Sequence, residues 1–333
     1  MKVLDLHCDT ISRLRHAEGC HRGDSLRKNA IHVDLEKMAR GDYLLQNFAL
    51  FVCMEESENP FESAMEMTDL YYEELKKNQD MIAPACSFQD IVDHQAEGKM
   101  SSLLTLEEGG ILKGKMEFLR IFHRLGVRMI TLTWNYENEI GAPNIVFDGN
   151  KIPQFSRRNE KGLTEFGVDL VQAMEGLGMI VDVSHLSDGG FWDVVKYTEK
   201  PFVASHSNAA AICNVCRNLT DDMIRALADR GGVMGLNFCG SFLEPGAEKN
   251  PLENHVGSIA HMVRHLKHIR NVGGIEVCAL GTDFDGIQGD PQIENASQMP
   301  KLAEALEQEG FTAREIEMIF YKNALRVYQA TLS

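Results

Sequence analysis

The chain has 333 residues, 44% of them hydrophobic and 25% charged, with a net charge of −16. This is the balance of an ordinary soluble globular protein, and the acidic excess argues against nucleic acid and anionic membrane surfaces as partners, since both need clustered Lys and Arg. No apolar run approaches the roughly 18 residues of a membrane span, and the first strand starts too early to leave room for a signal peptide, so the expectation is a cytoplasmic protein whose eight cysteines are reduced.

The first predicted element is the apolar strand VLDLH (3–7), which runs out onto His7 and Asp9, two groups that are costly to bury without a partner. Strands follow at 44–52, 101–107, 127–134, 179–185, 201–206, 232–238 and 277–283, nearly all of them continuous apolar runs. Such runs suit parallel strands covered on both faces. Amphipathic helical patterns at 61–77, 163–178 and 221–231 lie between them, and Thr312 and Glu315 are spaced as the capping box of the last helix. Strands alternating with helices predict a single (β/α)8 TIM barrel spanning residues 1–333. A doubly wound open sheet is the alternative, but neither a GxGxxG nor a P-loop supports it. Two long polar connections, 135–162 and 240–255, follow the fourth and seventh strands. In a barrel they lie on the catalytic face, where ordered loops of this length form lids or substrate walls.

Metal-competent side chains gather at the predicted strand ends: His7 and Asp9, Glu107 and Glu108, His185, His206, and Asp283 with Asp285. Residues two apart on a strand share a face, so His7 and Asp9 can reach one ion together. Any one of these residues has a structural explanation as a hydrogen-bonded strand end. Their joint placement around one barrel mouth points to a metal centre.

The motifs DLHCDT, LEEGG, VDVSHLS, ASHSNAAAICNVCRN and GTDFDG, in this order, resemble the membrane (renal) dipeptidase family of the amidohydrolase superfamily. The resemblance runs from about residue 3 to NALRVY near the C-terminus and implies a (β/α)8 barrel holding two zinc ions. It implies that His7 and Asp9 bind the first zinc, that Glu108, directly before Gly109 and Gly110, bridges both, and that His185 and His206 bind the second. Glu107 would then face away and need another partner. A metal-bridging hydroxide would attack the scissile carbonyl, with Asp283 as acid and base and Asp285 holding the turn. Arg217 matches the arginine that binds the substrate carboxylate, for which a planar guanidinium is suited; its bland reading is a surface ion pair. Where the family carries a histidine after the fourth strand, this chain has Trp134 followed by Asn135, and either the indole N–H or the Asn135 amide can replace it as a donor to substrate.

The implied activity is that of a binuclear zinc dipeptidase acting on dipeptides with a free C-terminal carboxylate, C-terminal D-residues included. The alternatives are another amidohydrolase, acting on a lactam, cyclic amide or N-acyl amino acid, and a metal-binding pseudoenzyme. The family commonly forms homodimers. CNVC (213–216) has no second CxxC and reads as a loop, His261, His265 and His268 read as scaffold on one helix, and Cys8 reads as core.

Overall fold

The computed structural model describes residues 1–16, 23–150, 152–156, 158–250, 253–287, 289 and 291–332. Eight parallel strands close into a barrel: β1 (Val3–Asp5), β2 (Tyr43–Phe51), β3 (Met100–Glu107), β4 (Val127–Thr131), β5 (Ile180–Asp182), β6 (Val203–Ala204), β7 (Val233–Leu236) and β8 (Cys278–Leu280). β1 pairs with both β2 and β8, and β2 pairs with β3 from Leu45↔Ser101 to Phe51↔Glu107, so the sheet has no break there. A short strand the sequence reading did not expect, Ile82–Pro84, adds to β3. The barrel is the expected TIM-type fold.

One apolar side chain from each strand fills the barrel floor: Leu4, Leu45, Leu103, Met129, Ile180, Val203, Val233 and Ala279 belong to one buried cluster. Tyr328 of the C-terminal helix Asn323–Thr331 joins it, and its hydroxyl donates to Asn47 Oδ1 at 2.7 Å. The alternate strand positions, such as Leu104 and Leu106, face the surrounding helices. The helix Ala313–Glu317 begins with the expected capping box: the Thr312 side chain accepts from Glu315 N–H, and the Glu315 carboxylate accepts from Thr312 N–H.

Several barrel strands end earlier than their apolar runs suggest, and buried carboxylates explain where. Asp5 accepts from Thr282 N–H at 2.8 Å and from the Thr282 hydroxyl at 2.7 Å, while its other short contact is to His7 N–H at 3.3 Å. Asp182 accepts from Ser184 N–H at 3.0 Å and Ser205 N–H at 2.8 Å. Side-chain oxygens thus replace ladder carbonyls at the top of the barrel, which satisfies the donors without continuing the sheet. His7, His185, His206 and Asp283 therefore sit just past the strands, at the roots of loops.

Candidate active site

The mouth of the barrel opens into a cavity of about 1190 Å³ lined by Asp9, Glu107, His185 and Asp283 among others. Both long connections contribute to its walls, Asn135 and Phe155 from one and Ser241, Phe242 and His255 from the other. The first also carries a small hairpin, Val146–Phe147 paired with Pro153–Gln154.

Glu107, the last residue of β3, stands at the centre. Its Oε2 lies 3.1 Å from His7 Nε2, and its Oε1 lies 3.3 Å from His185 Nε2 and 3.5 Å from His206 Nε2. The two latter imidazole nitrogens are 3.0 Å apart. On the other side, His7 Nε2 is 3.5 Å from Asp9 Oδ2 and 3.8 Å from Asp283 Oδ1. The carboxylate of Glu107 thus divides the cluster in two, one oxygen to each half.

This corrects the expectation for Glu108. Its carboxylate points the other way, accepting from Trp134 N–H at 2.8 Å, Gly110 N–H at 2.7 Å and the Asn138 amide. Neighbouring strand residues face opposite ways, and Leu104 and Leu106 place the even-numbered positions of β3 against the helices. Glu108 continues that side and Glu107 continues the inward side of Leu103. The Gly-Gly pair is a poor ruler here, because the pleat of β3 sets which glutamate turns inward. Glu108 also has φ 86°, and His185, Asp283 and Asp285 have φ of 67°, 61° and 69°. Non-glycine residues rarely adopt this left-handed region, and such strain concentrates at functional sites.

The imidazoles are held from behind. Ser205 Oγ donates to Asp182 Oδ2 at 2.5 Å and lies 2.7 Å from His206 Nδ1. With the serine proton committed to Asp182, Nδ1–H of His206 is the donor of that contact, leaving the Nε2 lone pair to face Glu107. Asn135 Oδ1 can only accept, and at 3.1 Å from His185 Nδ1 it selects the same tautomer there. Asn135 therefore has a contact the sequence reading did not foresee, as do Asp182, Ser205 and Asn237. The Asn237 amide donates to Asp283 Oδ2 at 2.8 Å.

Burial dominates the electrostatics. It opposes charge on His7, but Glu107 and Asp9 together hold that imidazole's pKa well above its ordinary value. Burial pushes Glu107 up, and His7 and His206 outweigh it, holding the carboxyl well below the usual range. Burial, with Glu107 adding to it, lifts Asp9 to about 6; burial also lifts Asp283, to about 7, with His7 opposing and Asp9 adding. Burial and the charge of His7 lower His206 to about 4, and burial and Arg217 hold His185 well below 6.5.

The donor set fits metal ions. His7 Nε2 and Asp9 Oδ1 are buried without a hydrogen bond, a costly condition that a cation would relieve. His7, Glu107 and His206 bring ligand atoms within 4.8 Å of one another, as do His7, Asp9 and Asp283. Gly286 permits the second grouping, since a Cβ there would collide with Asp9 Oδ2 and Asp283 Oδ1.

Arg217 is buried rather than at the surface, with Nη2 donating to His206 O at 3.0 Å, its guanidinium 5.3 Å from the Phe242 ring centre, and its Nε without a hydrogen bond. Asp285 accepts from the Thr10 hydroxyl at 2.6 Å and His32 N–H at 2.7 Å, which pins the turn. Cys213 and Cys216 are buried free thiols. His265 bonds to Ala209 N–H and Leu243 O, His268 to Asp221, and Cys8 is core.

A parallel barrel with imidazoles and carboxylates converging on its mouth is the architecture of metal-dependent hydrolases. Residues 1–332 match the membrane dipeptidase family, peptidase family M19. An uncharacterized dipeptidase of Schizosaccharomyces pombe is 31% identical over 317 residues, which cover 90% of this chain and 72% of that protein. Dipeptidase tcpJ of Claviceps purpurea is 29% identical over 306 residues, covering 89% of this chain and 68% of that one. Among solved structures, the family M19 metallopeptidase called dipeptidase AC superposes with a TM-score of 0.86 at 26% identity, covering 100% of this chain and 99% of its own. A metallopeptidase from Rhodobacter sphaeroides, liganded with a phosphinate mimic of the dipeptide L-Ala-D-Ala, gives a TM-score of 0.85 at 25% identity, covering 99% of each chain. The chain belongs to the membrane dipeptidase family and is a metallo-dipeptidase, a hydrolase. Among the described residues no helix is long and apolar enough to cross a membrane.

Proposed function

We propose that the protein is a binuclear zinc dipeptidase that cleaves dipeptides bearing a free C-terminal carboxylate, C-terminal D-residues among them. The observation that carries this reading is the division of Glu107 between two groups of ligands, His7 with Asp9 and His185 with His206. His7, Asp9, Glu107, His185 and His206 would hold the ions, with Glu107 serving both, and its charge would offset the repulsion between them. Zinc bound here would supply Lewis-acid polarisation of the scissile carbonyl and a water acidified towards neutrality.

The remaining work falls to the chain's own side chains. Asp283 is the proton carrier: Asn237 fixes Oδ2, so Oδ1 faces the cluster, where it can take a proton and return it. Arg217 grips the substrate's carboxylate with donors that its backbone contact leaves over. The mimic of L-Ala-D-Ala bound by the Rhodobacter relative supports a D-residue on the carboxylate side. The reading extends to one barrel domain over the whole chain, assembled as a homodimer in the cytoplasm, where the free thiols of the described cysteines would persist.

The test is a metal count on the purified protein, together with a panel of L,L- and L,D-dipeptides assayed with and without chelator. Two metals per chain and chelator-sensitive, zinc-restored cleavage are expected. One metal per chain, or cleavage indifferent to the chelator, would overturn the binuclear assignment.

A further inference from the structure

One stretch of the cavity wall is formed by Phe51 and Trp134. Phe51, at the end of β2, packs edge-on against Trp134 with ring centres 5.0 Å apart, and Tyr136 lies 5.4 Å beyond Trp134. Trp134 is only partly buried, lines the cavity with Phe51, and has its ring centre 6.1 Å from that of His185. The indole thus borders the reacting centre without belonging to it.

Its position is enforced. The backbone N–H of Trp134 is held by Glu108, which also ties down Asn138 of the same loop. A buried carboxylate kept at a positive φ and spent on a loop anchor makes sense where the residue it anchors must stay in place.

The topology says which part of a dipeptide meets this wall. Arg217 follows β6 and Phe242 follows β7, whereas Phe51 ends β2 and Trp134 follows β4. Around the closed barrel β2 stands four strands from β6, so Phe51 faces Arg217 across the mouth, while Trp134, after β4, packs against Phe51 from two strands away, with Glu107 at the end of the strand between them. A dipeptide whose carboxylate is held at Arg217 and whose peptide bond lies at Glu107 projects its amino-terminal residue across the mouth towards Phe51 and the indole packed against it.

We propose that Phe51 and Trp134 form the amino-terminal side-chain subsite and select dipeptides with a large apolar or aromatic residue at that position. This rests on the dipeptidase reading and on the carboxylate role of Arg217. Glu56, Glu58 and Glu62 also line the cavity, but they are exposed to water. Charges in that setting are screened and contribute little, while the half-buried rings of Phe51 and Trp134 gain by contact with apolar atoms.

The experiment compares kcat/KM for Gly-Ala, Leu-Ala, Phe-Ala and Lys-Ala in the zinc-loaded wild type, Trp134→Ala and Trp134→Leu. The wild type should prefer Phe-Ala and Leu-Ala over Gly-Ala and Lys-Ala by about tenfold or more. Trp134→Ala should lose about tenfold on Phe-Ala and little on Gly-Ala, and Trp134→Leu should keep the preference for Leu-Ala. A wild-type preference for Lys-Ala, a flat wild-type profile, or an equal loss on every substrate would overturn the subsite. If Trp134→Ala fails to fold, the wild type and Trp134→Leu decide. A metal-loaded wild type that cleaves no dipeptide would instead overturn the dipeptidase reading itself.

Discussion

Glu107 and Glu108, adjacent in the chain, send their carboxylates to opposite sides of one strand. The first lies among His7, His185 and His206, and the second is buried under the loop that carries Trp134. Charge-conserving logic would treat them as interchangeable; the pleat does not. Glu107→Gln should therefore lose most bound metal and nearly all activity. Glu108→Gln should retain its metal and instead lose about 1–3 kcal/mol of stability, because a buried acceptor is replaced by a donor facing the Trp134 N–H. Metal analysis and urea denaturation of both variants check this; metal loss confined to Glu108→Gln would reverse the assignment.

Asp182 touches none of the cavity-facing nitrogens, yet it aligns His206 through Ser205. Its carboxylate also accepts from the Thr131 hydroxyl at 2.6 Å, so it joins β4, β5 and β6. Asp182→Asn replaces one acceptor oxygen by a donor and should free the serine proton. Metal affinity is expected to fall about 10–100-fold, the usual cost of losing a supporting partner, in a competition titration with a chromophoric chelator. An unchanged affinity would show that His206 is aligned without Asp182.

Arg217 is buried with an unpaired Nε beside His206. Arg217→Ala should raise KM for a dipeptide by about 30-fold, equivalent to about 2 kcal/mol, while metal content is preserved. The loss should be much smaller with a C-terminally amidated dipeptide, which the wild type should already bind poorly. Equal losses on the free and amidated substrates would remove Arg217 from carboxylate recognition.

His265 gives the fold a pH dependence that is separate from the site. Burial holds it down to about 4, and it bonds to Ala209 N–H and Leu243 O, each at 3.0 Å. An unfolded histidine titrates near 6.5. Between pH 6.5 and 4 the unfolded chain takes up a proton that the folded chain refuses, so stability is full above that window and falls as pH drops through it. His265→Gln should be less stable at pH 7 but show a shallower decline between pH 6.5 and 4. A decline as steep as the wild type's would place the acid sensitivity elsewhere.

The extent of what was legible in sequence follows from these residues. Eight apolar runs alternating with amphipathic segments are enough to specify a barrel, because buried parallel strands need apolar residues on both faces and crossover helices need them on one. His7, Asp9, His185, His206 and Asp283 were legible as strand-end residues, since polar groups that close an apolar run stand out. The strand limits were less visible: Asp5 and Asp182 end the ladder with their own carboxylates, and a hydrogen bond of that kind leaves no periodic trace.

Which glutamate faces the mouth, and which lies behind it, depends on strand parity. β3 is buried on both sides, so hydrophobicity alone does not mark its inward face. Likewise Asn135 and Ser205 look like ordinary loop polar residues until the fold sets them 3.1 Å and 2.7 Å from ring nitrogens of His185 and His206. Composition and period dictate burial, so the pattern of the chain marked the barrel and the polar residues that close its strands. The direction of each side chain came from the fold, because it depends on pleat, backbone φ and partners distant in the chain.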